Sequence, residues 1–435
     1  MQKFKTIEEE IEFHLEILGK CCRHTRRGQP VLATFRRSRH PFFYPRDGAG
    51  VCRALSLICL NTSLVEKAYY HLKGIAKFTL SVQSKNGHWG QRYTQTGFDR
   101  SIYKQEDNVA HAIHILSQFL LTSYKLKKKI NGEKKYLDAI TKGFNFAVEN
   151  YFNKEQELFY STTSLHESPI ETGFTLWTNI SYWNAFNLAN EIKKHTKHKK
   201  DLSKLIKFSN TLKKTIKSKF ILNGKFIAKL DENLVQDLRM DASLMSPFYF
   251  NFGFKTATKA TIKIMRRELW DKELGLIHRY LPLKNNMDVH LHAGDGPWMQ
   301  YSSILAQYYF LNNNFSEGNK ILSHIKQYSS KRGYLPEHVS TIERFRDFIK
   351  NEWKTGMDYK KEFDSKILLP HIDFDKIVEE LFYMNHTYDK IKLRLRKKEK
   401  PFIIYALPLA WTHAEFAAAL VLKKKHGKHG KHEKH

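Results

Sequence analysis

Six clusters of polar, charged and aromatic residues stand directly ahead of apolar runs in this chain. They are Tyr44-Pro45-Arg46-Asp47-Gly48, Gln105-Glu106-Asp107-Asn108, Gly173-Phe174-Thr175-Leu176-Trp177, Arg239-Met240-Asp241-Ala242-Ser243, Gly294-Asp295-Gly296-Pro297-Trp298 and Pro408-Leu409-Ala410-Trp411-Thr412-His413. Carboxyls and guanidinium groups can move protons and grip polar ligands, and aromatic rings can wall a pocket. They do so only if the fold gathers them. The aromatics at these openings and in loops, Tyr44, Trp89, Trp298 and Trp411, are better candidates for a pocket wall than those inside the apolar runs, such as Tyr182, Trp183, Phe186, Tyr308 and Phe310.

The spacing says how they could be gathered. The clusters begin 61, 68, 66, 55 and 114 residues apart, and each opens a run with helical character. A second helix-like stretch fills each interval, at residues 63–82, 136–151, 202–220, 256–269 and 316–328, and residues 6–23 supply one more ahead of the first cluster. Stacked helix pairs have this signature. The runs after Trp177 and Trp298 are apolar or aromatic nearly all round, as expected of helices buried on every side. The expected fold is therefore all-α: six inner helices ringed by six outer ones, an (α/α)6 toroid or six-hairpin barrel, with every polar opening at one rim. Thr62 or Ser63 is the expected cap of the second outer helix. The segments Lys225-Phe226-Ile227-Ala228 and Leu276-Ile277-His278-Arg279-Tyr280 read as short strands decorating the loops.

Composition bounds the rest. The chain has 435 residues, 41% of them hydrophobic, and no linker-like stretch divides it. A chain of this length can bury a large core. We expect one domain over residues 1–422 and a Lys/His-rich disordered tail over 423–435. The four cysteines, two of them adjacent, do not form a disulfide framework. No signal-peptide pattern opens the chain and no uncharged run approaches the ~20 residues of a membrane span. These features point to a cytoplasmic protein. The net charge of +29 comes from lysine clusters on outer segments and chain ends. They lack the interleaved aromatics of a single-strand-binding surface, so no specific nucleic-acid partner is expected. The tail histidines offer weak nickel or zinc contacts at most, and no metal site is expected.

The openings, taken in order, resemble the glucoamylase-like glycoside hydrolases of family 15, particularly their short bacterial and archaeal members. Tyr44-Pro45-Arg46-Asp47 is similar to W-x-R-D, and Asn86-Gly87-His88-Trp89-Gly90-Gln91-Arg92-Tyr93 to D-G-x-W-x-Q. Gln105-Glu106-Asp107 looks like Q-L-D, the Gly275 to Tyr280 stretch like G-x-x-R-Y, and Gly296-Pro297-Trp298 like G-x-W. Tyr334-Leu335-Pro336-Glu337-His338 resembles L-P-E-Q, and the Pro408 to Phe416 stretch resembles P-L-x-W-x-H-A-E-Y. Each match is short; their order along the chain makes the set specific.

The resemblance implies exo-acting, inverting hydrolysis of α-glucosidic bonds. Inversion needs a protonated carboxyl at the leaving oxygen and an ionised one activating water on the opposite face. Carried over, the base is Glu337. For the acid two alignments compete. If Leu165-His166-Glu167-Ser168 stands for the family's L-W-E-E, the acid is Glu167, eight residues before Thr175 as the family's spacing of eight or nine asks. If Leu176-Trp177-Thr178-Asn179 does, the acid is lost at Thr178. We take the first, with Glu171 as the fallback. In that alignment His166 replaces the family's tryptophan and Ser168 its second glutamate. Arg46 and Asp47 match the pair that grips the terminal glucose, Arg279 would touch the next sugar, and Tyr44, Trp89 and Trp298 would wall the pocket. Residues 281–291 depart from the family, which leaves linkage preference open. The expected partner is an oligosaccharide or polysaccharide substrate, with no cofactor, because acid–base chemistry on an acetal needs only carboxyls and water. Two alternatives stay open: a non-catalytic glycan-binding or regulatory toroid, and an α,α-trehalose hydrolase.

Overall fold

The computed structural model describes residues 4–36, 38, 40–281, 296–347, 367–372 and 402–427. The helices are α1 (Ile7–Cys21), α2 (Pro45–Asn61), α3 (Val65–Ser81), α4 (Asn108–Lys125), α5 (Glu133–Asn150), α6 (Leu176–Lys193), α7 (Ser203–Phe220), α8 (Ser246–Tyr249), α9 (Lys255–Leu269), α10 (Met299–Leu311), α11 (Phe315–Gln327), α12 (Ile342–Asp347) and α13 (Ala410–Gly427). The inner ring runs α2, α4, α6, α8, α10, α13 and closes where α13 packs on α2. The outer helices alternate with it. α3 leans on α2 and α4, α5 on α4, α7 on α6, α9 on the turn entering α8, and α11 on α10, while α1 completes the ring against α13. This is the six-hairpin toroid.

Each inner helix begins where a polar cluster was expected to open one, with a single shortfall. The fourth is a 3-10 turn, Ala242–Met245, followed by the one-turn α8. The backbone explains it. Asn251, Gly253 and Phe254 all take positive φ, at 53°, 98° and 53°. Left-handed residues end a helix. The cap expected at Thr62 or Ser63 is not the one observed. Thr6 caps α1 by accepting from the Glu9 amide at 3.1 Å, but the N-cap of α3 is Leu64 and makes no side-chain bond. Thr62 instead accepts the Leu64 N–H, and Ser63 donates to Glu8. The final helix runs on through Lys423 to Gly427, so the expected tail begins inside it; residues 428–435 lie outside the described residues. So do the lysines of 392–400 and most of the departure at 281–291.

The barrel axis holds a buried charge network. Glu415 of α13, fully buried, accepts from Arg53 of α2 at 2.5 Å, from Tyr249 at 2.6 Å, from Trp411 at 3.0 Å and from Gln307 at 2.7 Å. Removing one partner of such a pair strands the other charge, at a cost of about 3–5 kcal/mol. The helices come close here. A Cβ on Gly50 would stand 2.3 Å from the Trp411 indole nitrogen, so α2 needs glycine at that point.

Buried histidines add an acid sensitivity. Burial pushes His114 down to about 3 and His71 to about 4. Such a group stays neutral in the fold but takes up a proton in the unfolded chain near pH ~6.5, so its stability contribution is complete above that pH and falls as pH falls toward the folded value. Removing one should therefore help at low pH. We expect His114→Gln to gain on the wild type by on the order of 1 kcal/mol per pH unit between about pH 6 and 4, read from urea midpoints. A difference that does not change with pH would contradict a neutral His114.

Candidate functional site

The first half of the site is built on the loop between α5 and α6. Ser161 and Gly173 exchange backbone hydrogen bonds and close this loop into a compact arch. Thr178, in the first turn of α6, is buried under it and bonds the hydroxyls of Ser161 at 2.8 Å and Ser164 at 2.9 Å. Glu171 turns inward, its Oε2 accepting the amides of Ser164 at 2.8 Å and His166 at 3.0 Å; burial raises its carboxyl above the usual range. Both residues therefore shape the arch. At its crest stands Glu167, a non-glycine residue with φ at 53°. Such a conformation costs on the order of 1–3 kcal/mol and persists only where the surroundings impose it.

Three side chains converge on Glu167 Oε1. Arg46 Nη2 donates at 2.6 Å, and the amides of Gln91 and Gln105 donate at 3.3 Å each. Arg46 is itself fixed. It is about 6% exposed, its Nη1 donates to the Ser164 carbonyl at 2.6 Å, and Asp107 lies 4.0 Å away as a second counter-charge. Gln91 is held in turn because its Oε1 accepts from the amides of Ile102 and Tyr103. Beside Arg46, burial together with the charge of Glu167 pushes the Asp47 carboxyl up to about 7 against the pull of the guanidinium. Near neutrality Asp47 can therefore accept or donate a hydrogen bond. The half-buried Tyr44 phenol, raised to about 12 by burial, adjoins Arg92, Glu167 and Asp47.

The second half is the Leu335-Pro336-Glu337 segment, which is held by backbone at every residue. Leu335 accepts the Leu409 amide at 2.9 Å, and Pro336 accepts the Thr412 hydroxyl at 3.0 Å. Glu337 donates its amide to Tyr405 at 2.9 Å and accepts the Met299 amide at 2.8 Å. The openings of α10 and α13 thus grip the segment from both sides, and proline adds a fixed φ. A Cβ on Gly296 would fall 1.9 Å from the Val339 carbonyl, so only glycine allows the α10 approach to pass this close.

Arg279 and Tyr301 join the halves. Arg279 Nη2 donates to the His166 carbonyl at 2.9 Å, and its guanidinium lies over the Trp298 ring at 4.3 Å and the Tyr280 ring at 5.1 Å. The Tyr301 phenol, buried among Arg279, Arg46, Glu337 and Glu171, feels all four charges. His166 is buried with neither ring nitrogen hydrogen-bonded among the described residues, although Asp241 Oδ1 stands 3.3 Å from its Nε2.

The geometry corrects two sequence expectations. Trp89 is fully buried and donates its indole N–H to the Thr79 carbonyl at 2.8 Å, so it belongs to the core and not to a pocket wall. The residue of that segment that reaches the site is Gln91, two positions on. Trp298, about 5% exposed, carries Arg279 and the stacked His338 ring at 5.0 Å; it supports those groups and offers no open face for stacking. Tyr44, Arg46, Asp47 and Glu167 lie beside one another, and Tyr301 stands within electrostatic reach of Arg46, Arg279 and Glu337. Gln91, Gln105, Asp107 and Tyr301 were not singled out as site residues. Gln91, Gln105 and Asp107 lay within the quoted motifs, whereas Tyr301 sits in an apolar run that gives no polar signal.

Among the described residues no group of three or more His, Cys, Asp or Glu is arranged to hold a metal ion, and no helix is long and apolar enough to cross a membrane. The four cysteines are free, buried thiols.

No family model and no curated protein matches the chain. Solved structures do. A glycosidase variant in complex with glucose superposes with a TM-score of 0.61 over 97% of each chain at 11% identity. A bacterial glucoamylase complexed with acarbose gives 0.61 at 14% identity, over 95% of this chain and 55% of its own. The glucoamylase of Saccharomycopsis fibuligera gives 0.56 at 15% identity, over 97% of this chain and 96% of its own. At these identities the likeness is one of fold.

Proposed function

We propose that this protein is an exo-acting, inverting glycoside hydrolase that releases glucose from α-glucosidic oligosaccharides or polysaccharides, in the manner of the family 15 glucoamylases. The observation that carries the reading is the Arg46–Glu167 contact at 2.6 Å, which joins residues 121 positions apart at the rim where Asp47, Arg279 and Glu337 also converge. The glycosidase and glucoamylase folds of the structural neighbours support it.

In this reading the terminal sugar enters over Arg46 and Asp47, whose charged hydrogen bonds to its hydroxyls select the epimer. Glu337 activates water from the face opposite the leaving group and Glu167 delivers the proton. Glu167 is the counter-ion of Arg46. Sugar hydroxyls arriving at Arg46 take over its donors; Glu167, freed of that counter-charge, binds a proton from water, turns to the glycosidic oxygen and gives the proton up there, while Glu337 takes one from the attacking water. The loop contacts of Glu171, which accepts two amides of the arch, favour Glu167 over Glu171 as the donor, and the bonds of Thr178 to Ser161 and Ser164 suit a structural place for that residue. Tyr44 lines the subsite, and Arg279, braced by Trp298, lies toward the next sugar. The toroid, through the end of α13 at Gly427, is read as one catalytic domain, and the free thiols suit a reducing, cytoplasmic setting.

A non-catalytic glycan-binding toroid and an α,α-trehalose hydrolase are separated by one assay, glucose release from maltose, isomaltose and α,α-trehalose. Release from maltose or isomaltose is expected. Release from trehalose alone would move the assignment to a trehalose hydrolase, and binding without any release would leave a glycan-binding protein.

A further inference from the structure

The segment bearing Glu337 is tied to the outer ring through two buried histidines. His413 of α13 is fully buried, and its Nε2 stands 2.9 Å from the Leu335 amide. An amide can only donate, so this nitrogen carries no proton. A neutral imidazole then bears its proton on Nδ1. That nitrogen lies 2.7 Å from Nδ1 of His14 on α1, 399 residues away, so His413 donates and His14 accepts, with the His14 proton on Nε2. The tautomers of both rings follow from one backbone bond. Burial holds His413 down to about 3 and His14 well below its ordinary value, so both rings are neutral over the ordinary working range. The charge facing His14 from the neighbouring outer helix is Lys326, whose ammonium is paired with Glu10 of α1 at 2.6 Å. The rings of Phe13 and Phe416 close around His14 at 5.4 Å and 4.7 Å.

We propose that His413, whose Nδ1–H is held by His14, is a positioning residue that fixes the aim of Glu337. The role rests on the reading of Glu337 as the base. The physical argument is one of freedom. Between the Leu335 amide and Glu337 lies Pro336, whose φ is fixed, so rotation about Leu335 swings the Glu337 carboxylate with little slack to absorb it. Thr412 bonds the Pro336 carbonyl from the same helix turn, so α13 holds the segment at two consecutive residues. A base must be held to within a fraction of an ångström, and a misplacement of about 1 Å can cost on the order of 10²-fold in rate.

The test compares His413→Leu, His413→Gln and His14→Leu in the full chain by kcat and KM on maltose, thermal unfolding and hydrogen exchange of the Leu335 amide. His413→Leu should lower kcat by roughly 10²-fold with KM nearly unchanged, and Leu335 should exchange faster. His413→Gln, whose side-chain oxygen can accept the same amide, should recover most of kcat. His14→Leu leaves the acceptor for the Leu335 amide but strands the buried Nδ1–H of His413 and loosens the ring, so kcat should fall by less; this variant carries the test if His413→Leu does not fold. Faster Leu335 exchange with wild-type kcat would overturn the positioning role, as would a loss in His413→Gln equal to that in His413→Leu. If the wild type hydrolyses no α-glucoside, the base assignment falls and this role falls with it, whatever the exchange shows.

Discussion

Glu337→Gln should lower hydrolysis of an α-glucoside by about 10²–10⁴-fold, the usual worth of general base assistance. KM and the unfolding temperature should stay near the wild-type values. The reason lies in how the residue is held. Its backbone makes the contacts to Tyr405 and Met299, and the exchange of a carboxylate for an amide of the same size leaves them in place. What is lost is the proton acceptor for water. Azide needs no such acceptor, so adding it should restore glucoside consumption and yield a β-glucosyl azide, formed by attack on the face that water would have used. Rescue giving the α-azide, or undiminished hydrolysis, would place the base elsewhere.

Glu167→Gln should be as damaging on maltose and far less so on an aryl α-glucoside. A sugar leaving group departs poorly without a proton, whereas a nitrophenolate needs little help, so the same substitution should cost about 10²–10⁴-fold on the first and recover most of that on the second. The substituted amide can still accept from Arg46 through its oxygen, so the 2.6 Å contact can persist without its charge and the arch should stay folded. Equal losses on both substrates would point instead to the ion pair with Arg46 as the purpose of Glu167. Wild-type activity on maltose would return the donor role to another carboxyl.

The toroid was legible because helix pairing imposes a period on the chain, and the polar openings mark it. The fourth inner helix was misjudged in length because its end is set by three left-handed residues beyond it, and Asn251 and Phe254 carry no obligatory signal for that conformation. The candidate site residues that the sequence reading gathered are charged groups in motifs at a helix opening, Arg46 and Asp47, and in loops, Glu167, Arg279 and Glu337. Aromatics read less well. Trp89 and Trp298 stand in quoted motifs, yet a tryptophan serves equally as wall or as core, and only burial separates these uses. Tyr301 and the His14–His413 pair escaped notice for another reason. Tyr301 and His14 lie on helices whose patterns mark them as core, and the partners of all three arrive from segments far away in sequence.

The stereochemistry of the released glucose tests the account most directly. In the proposed mechanism Glu167 and Glu337 act from opposite sides of the scissile bond, so water enters from the face away from the leaving group and the configuration inverts. Proton NMR through the first minutes of maltose hydrolysis should show the β-anomer signal rising ahead of the α-anomer, before mutarotation mixes them. α-Glucose appearing first would mean retention, and would contradict the assignment of Glu337 as a base acting through water.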